Sequence, residues 1–194
     1  MFGERNLWLN NIITSDSILF FDMDGTLIDT DYANFLSYKK AIEQVVQNDF
    51  GLSYNPKQRF NRSLLKTTIP NLTETELKMI VGEKEKCYKY YLSETQLNHE
   101  TVAILTTYFT QNKIVLVTNC RKERALATLQ HHELSDKFSN FFFKQFDKKR
   151  KINKFQNAIM KLGISPNVVI AFENEESEIV NAITAGIQYI NPKL

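Results

Sequence analysis

Two aspartates one residue apart close an apolar run in ILFFDMDGTLIDT, residues 18–30. Side chains at alternate positions of an extended chain point the same way, so Asp22 and Asp24 can face one pocket. Adjacent carboxylates repel, and they become tolerable when a divalent cation lies between them or when one keeps its proton. Both states are useful chemically. An ionised Asp can attack phosphorus, while a protonated neighbour serves as general acid. Gly25 permits the turn that follows, and Thr26 and Asp29 have the side chains to hydrogen-bond its backbone. An isolated Asp-x-Asp after a strand more often marks a solvated turn, so the whole string, and not the pair alone, carries the signal.

The elements that must hold such a pair are readable nearby. SILFF (17–21), KIVLVT (113–118), NFFFKQF (140–146) and VVIAF (168–172) are predicted strands, with IQYI (187–190) a weaker fifth. Their near-continuous apolar character suits a parallel sheet covered on both faces. Helical spacing falls at 99–112, 121–132, 151–162 and 176–185, and alternation of the two predicts a three-layer, open α/β sheet of Rossmann-like type. In such sheets ligands bind at the carboxyl ends of the strands, where Asp22 sits. Between residues 30 and 113 the alternation stops. DYANFLSYKKAIEQVVQNDF (31–50) and LTETELKMIVGEKEKCYKYYL (72–92) are spaced as helices, and Thr73 with Glu76 fits a capping box. The expected organisation is a core of residues 1–30 and 99–194 with an inserted α-helical domain at 31–98.

Composition narrows the classes. Hydrophobic residues make up 43% of 194, including 14 Phe, which is enough for a buried core and excludes wholesale disorder. The formal charge is +2, and lysines are interspersed with acids without a basic stripe, so no nucleic-acid partner is expected. The dense basic run is DKKRK at 147–151. Cys87 and Cys120 lie far apart and form no disulfide framework, which fits a reducing interior. No apolar stretch approaches a membrane span, and MFGERNLWLNN lacks the pattern of a signal peptide. A cytoplasmic protein without a membrane partner is the expectation. The oligomeric state stays open.

A second site element lies at KIVLVTNCRKE (113–123). The Thr118 hydroxyl and the backbone N–H groups after it can hold a phosphoryl oxygen, Asn119 adds an amide, and the helix beginning near Arg121 turns its positive end towards an anion. An ordinary strand-to-helix turn would use the same residues.

DMDGTLIDT resembles the first motif of the haloacid dehalogenase-like hydrolase superfamily, in its phosphatase and phosphomutase branch. The resemblance implies a nucleophilic Asp22 and a general acid/base at Asp24, whose backbone carbonyl also contacts magnesium. The insertion at 31–98 resembles the family's cap domain, and Thr118 with Asn119 resembles its second motif. Counting back from Leu162-Gly163 with Phe155 in register implies a catalytic lysine at Lys149, with Lys148 and Lys151 as rivals, in a stretch where Arg150 and Ile152 stand in place of the family's prolines. VVIAFENEESEIVNAITAGI resembles the last motif. It places Glu173 and Asn174 as metal ligands, with Asn174 where the family carries an aspartate and Glu178 where some members carry another acid. A carboxamide holds magnesium less strongly than a carboxylate. In the insertion, Arg62 resembles a cap arginine that grips the substrate.

The function these readings imply is a Mg2+-dependent phosphatase that hydrolyses a small phosphorylated metabolite through a phosphoaspartyl intermediate. A phosphomutase is the near alternative. A phosphate-binding member of the same fold with little or no turnover is the alternative that Asn174 keeps open.

Overall fold

The computed structural model describes residues 12–48, 50–144 and 152–192. These form two compact units: one from the residues up to Ile28 and from Leu97 onward, the other Asp29–Gln96.

The larger unit is built on β1 (Ile18–Phe21). Its chain runs on through β2 (Ile28–Asp29) into the smaller unit and returns at β3 (Gln96–Leu97). From there follow α4 (His99–Tyr108), β4 (Lys113–Val117), α5 (Lys122–His131), β5 (Asn140–Phe142), α6 (Lys154–Leu162), β6 (Val169–Phe172), α7 (Glu176–Thr184) and β7 (Tyr189–Ile190). The main sheet has the order β5-β4-β1-β6-β7 and every pairing in it is parallel. β1 lies at the centre, where the chain order switches direction.

Alternation along the strands sorts the core into two layers. Leu19 and Phe21 join Ile114, Leu116, Ile170 and Phe172 on the face covered by Ile104 and Leu105 of α4 and Leu129 of α5. Phe20, Val115, Val117, Val169 and Ala171 face Phe155 and Ala158 of α6 and Ala182 of α7. Both faces are dry, which is why these strands read as continuous apolar runs. The rings of Phe21 and Phe172 stack at 4.5 Å beneath the strand ends. The predicted strands and helices all occur, mostly shorter than expected at their ends. Trp8 lies outside the described residues, as do the start of the 151–162 helix and the end of the 140–146 strand.

The smaller unit holds α1 (Asp31–Val46), α2 (Arg62–Thr68) and α3 (Glu74–Cys87), followed by a 3-10 turn at Tyr88–Glu94. Phe35, Tyr38, Ile42, Phe60, Leu65, Leu77 and Ile80 form its core. The capping box is present: Glu76 N donates to Thr73 Oγ1 (3.2 Å) and Thr73 N to Glu76 Oε2 (2.8 Å). α2 begins where Asn61 accepts from the amides of Ser63 and Leu64. Among the described residues no helix is long and apolar enough to cross a membrane.

Candidate active site

The strand ladder delivers the first residues of the site. Asp22 N donates to Phe172 O (3.0 Å), so the sheet continues one step past β1 and sets Asp22 beside Glu173 at the end of β6. Thr118 N donates to Phe142 O (2.9 Å), which fixes Thr118 in the same way at the end of β4. After Asp22 the chain folds into a tight turn. The amides of Thr26, Leu27 and Ile28 converge on Met23 O, and Gly25 N reaches Ile28 O. Gly25 has φ +84, and a Cβ there would collide with the Asn174 carboxamide, so conformation and space both require glycine.

Asp22, Asp24, Thr118 and Glu173 are all buried. Lys154, the first residue of α6, supplies the cation between two of the acids. Its Nζ lies 2.8 Å from Asp22 Oδ1 and 2.6 Å from Glu173 Oε2, with Glu178 Oε2 at 4.0 Å. Asn153 caps this helix through a capping box with Gln156 and donates its Nδ2 to Asn181 O of α7 (2.8 Å), so the lysine stands on a fixed base. Glu173 Oε1 accepts from the amides of Asn174 and Glu175, both at 3.0 Å. Its backbone is clamped in turn by Asn191, whose Oδ1 accepts from Glu173 N (2.8 Å) and whose Nδ2 donates to Glu173 O.

Burial pushes the Asp22 carboxyl up to about 7, Lys154 pulls it down, and Glu173 and Asp24 add to the rise. Burial alone would lower Lys154, but the carboxylates of Asp22 and Glu173 hold it above the ordinary lysine range. At neutral pH the nucleophile candidate is therefore poised between its two forms, with a permanent cation against it. Asp24 has its own cation. Arg124 of α5 places Nη1 3.3 Å from Oδ1 and Nη2 3.2 Å from Oδ2.

The remaining residues singled out in the sequence fall as follows. Thr118 Oγ1 accepts from Cys120 N (3.1 Å), which leaves its own proton to donate. Asn119 is exposed and donates to Glu178 Oε1 (2.9 Å). Asn174 Oδ1 accepts from Thr26 Oγ1 (3.0 Å), so the threonine hydroxyl bonds this side chain, while it is the Thr26 amide that takes part in the turn. The N-cap of α7 is Glu175. Arg62 belongs to the smaller unit, where it is exposed and pairs with Glu74 at 3.6 Å. Lys148, Lys149 and Lys151 lie outside the described residues. The sequence reading did not single out Lys154, Arg124 or Asn191. Only Lys154 left a local signal, because Asn153-x-x-Gln156 marks a helix start immediately before it.

The donor set can be weighed against a divalent cation. Asp22, Asp24, Glu173 and Glu178 face two cationic side chains, Lys154 and Arg124. Glu178 Oε2 is buried with no hydrogen-bond donor. The acids of this cluster outnumber its cations, and a divalent ion would add positive charge there. Among the described residues no group of three Asp, Glu, His or Cys side chains is placed to hold a metal ion by itself. An ion would therefore take part of its shell from the Asn174 carboxamide, backbone carbonyls and water, which suits magnesium.

A buried carboxylate with a lysine against it, at the carboxyl edge of a parallel sheet and beside a strand-end threonine, defines an α/β enzyme that works on an anionic group. The chain belongs to the haloacid dehalogenase-like hydrolase family, whose model matches residues 17–186. It is 25% identical over 183 residues to a phosphorylated carbohydrates phosphatase of Thermotoga maritima, across 88% of this chain and 82% of that protein. Among solved structures it is similar to CbbY from Rhodobacter sphaeroides in complex with phosphate (TM-score 0.71, 15% identity, 92% of this chain and 87% of that one). It is also similar to a haloacid dehalogenase-like family hydrolase from Streptococcus pneumoniae (TM-score 0.70, 19% identity, 90% and 83%). At these identities the structural likeness speaks to the fold.

Proposed function

We propose that this hydrolase is a phosphatase acting on a small phosphorylated metabolite, with Asp22 as the nucleophile. The observation that carries the reading is the buried Asp22 carboxylate held at 2.8 Å by Lys154. The resemblance to a phosphorylated carbohydrates phosphatase supports a phosphorylated small molecule as substrate.

In the first step an Asp22 oxygen bonds to phosphorus, the bond from phosphorus to the ester oxygen breaks, and Asp24 gives its proton to the departing alkoxide. In the second, water attacks phosphorus, Asp24 takes the water's proton, and the acyl phosphate bond breaks to return the Asp22 carboxylate and orthophosphate. Lys154 offsets charge on Asp22 in the resting site and on the phosphoryl oxygens as the bond to Asp22 forms. The Thr118 hydroxyl, whose lone pair is taken by Cys120 N, donates to a phosphoryl oxygen. Glu173 fixes Lys154 and is itself fixed by two backbone amides.

Magnesium, when bound, supplies positive charge that screens the nucleophile from the phosphate; Asp22, the Asp24 carbonyl, Glu173 and Asn174 are the residues that would hold it. Asn119 and Arg62 are proposed substrate contacts. Cys87 and Cys120 are buried and not joined in a disulfide, which suits a reducing compartment, so the cytoplasm is the proposed location.

The test is hydrolysis of 4-nitrophenyl phosphate by the wild type and by Asp22→Asn, each with magnesium and with a chelator. Turnover in the wild type that disappears in the variant supports the phosphatase. Equal background in both, with orthophosphate still bound, supports instead a phosphate-binding member without turnover. The feature that favours this second reading is the uncharged Asn174 side chain, whose oxygen already accepts from Thr26.

A further inference from the structure

The proposed mechanism needs Asp24 aimed at the leaving oxygen, and a residue outside the motif lies against that carboxylate. Arg124 lies 100 residues away in sequence, and it engages both oxygens: Nη1 to Oδ1 at 3.3 Å and Nη2 to Oδ2 at 3.2 Å. The pair is nearly out of solvent, with side-chain exposures of 11% for Arg124 and 9% for Asp24. A planar guanidinium that meets both oxygens of a carboxylate fixes its plane as well as its position, which a lysine ammonium cannot do.

Each half of the pair has a separate anchor. Arg124 rides in the first turn of α5, where Ala125 N donates to Arg121 O (2.9 Å), Thr128 Oγ1 donates to Arg124 O (2.8 Å), and Ala125, Thr128 and Leu129 are buried. Asp24 rides on the Met23–Ile28 turn, which Gly25 closes through its contact with Ile28 O. The fork therefore ties the helix after β4 to the turn after β1, across the ends of two adjacent strands.

We propose that Arg124 is a positioning residue for the general acid/base, a role that rests on the phosphatase reading of Asp24. One arm of the guanidinium keeps hold of one carboxylate oxygen as a pivot, while the other oxygen turns to the leaving group in the first step and to the attacking water in the second. The side chain neither touches the phosphoryl group nor exchanges a proton.

The experiment compares Arg124→Gln and Arg124→Lys with the wild type on a series of substituted phenyl phosphates of nearly constant size, from phenyl to 4-nitrophenyl. A poor leaving group depends on the acid and a good one does not. Arg124→Gln is expected to lose about 10- to 100-fold in kcat/KM, which reports the first step alone, on phenyl phosphate, the scale of a misplaced catalytic group. On 4-nitrophenyl phosphate that loss is several-fold smaller. Arg124→Lys keeps the charge without the fork and falls between, and added guanidinium ion restores part of the Arg124→Gln loss. In an Asp24→Asn background, Arg124→Gln costs nothing further.

An equal loss of kcat/KM on every leaving group, or a further loss in the Asp24→Asn background, overturns the proposal in favour of a role in the fold alone. So does unchanged turnover by a folded Arg124→Gln protein when Asp24→Asn is impaired. If Asp24→Asn itself hydrolyses phenyl phosphate at the wild-type rate, it is the acid/base reading of Asp24 that falls, and the two failures are thereby told apart.

Discussion

Lys154→Met removes the cation held by two buried carboxylates, and the structure gives the size of the effect. The ammonium lies 2.8 Å from Asp22 and 2.6 Å from Glu173, with both partners buried. Taking one member from a buried ion pair costs about 3–5 kcal/mol, because the partner keeps its desolvation penalty without compensation. The cost falls unevenly with pH. Burial already raises Asp22 to about 7 with Lys154 in place, and without the lysine its pKa rises further. A carboxyl whose folded pKa exceeds its unfolded value of about 3.8 holds its proton more tightly when folded. In the variant this contribution is fully present below about pH 3.8 and is lost as pH climbs towards the raised folded value, so stability falls between pH 5 and pH 8.

Activity should fall for two reasons, since the nucleophile is protonated at neutral pH and the developing phosphoryl charge loses a donor. Together these predict a drop of about 10²- to 10⁴-fold in kcat. Thermal unfolding at pH 5 and pH 8, with kcat for 4-nitrophenyl phosphate across the same range, reads both effects. Lys149→Met, made in parallel, sharpens the result. Full activity of Lys154→Met at pH 7, or a loss confined to Lys149→Met, would refute the assignment of the cation to Lys154.

Asp22→Asn should abolish turnover and flatten the decline in stability between about pH 4 and pH 7 that the raised Asp22 pKa imposes on the wild type, a span on the order of 4 kcal/mol; denaturant melts at several pH values measure it. In the wild type without added metal, kcat should rise with pH through about 7, because the ionised form of Asp22 attacks. Asn174→Asp should tighten magnesium binding about tenfold or more, read as a larger metal-induced shift in Tm and by calorimetry, with the Thr26 hydroxyl still able to donate to the new carboxylate. Gly25→Ala should cost about 1–3 kcal/mol and reduce activity, since φ +84 disfavours a side chain and the added methyl meets Asn174; a denaturant melt checks the first effect and kcat the second.

Much of the fold was legible because the relevant physics is local. Apolar runs bounded by polar turns marked the strands, and their continuous character marked burial on both faces, as the two core layers bear out. Thr73-x-x-Glu76 marked a helix start from capping chemistry alone. Asp22 followed from its place at the end of the first strand, since a parallel sheet gathers its strand ends at one edge. The short helix at Arg62–Thr68 was not singled out, because seven residues give too little periodicity to declare it.

The cations of the site were another matter. Counting within a motif pointed into a lysine-rich stretch, where spacing cannot choose among neighbours. The lysine that reaches Asp22 is set by where α6 begins and by the way that helix leans on α7. Arg124 meets Asp24 because two strands are adjacent in the sheet and because of the rotational phase of α5, neither of which is written in the residues near either side chain. Asn191 reaches Glu173 from just past the end of β7, the neighbour of β6, for the same reason. The sequence by itself determined the strands, the carboxylates and the edge at which they gather, because strand formation and turn chemistry act over a few residues. The pairing of each carboxylate with its cation was decided only by the tertiary structure, because attraction between charges depends on distances that sheet order and helix phase alone create.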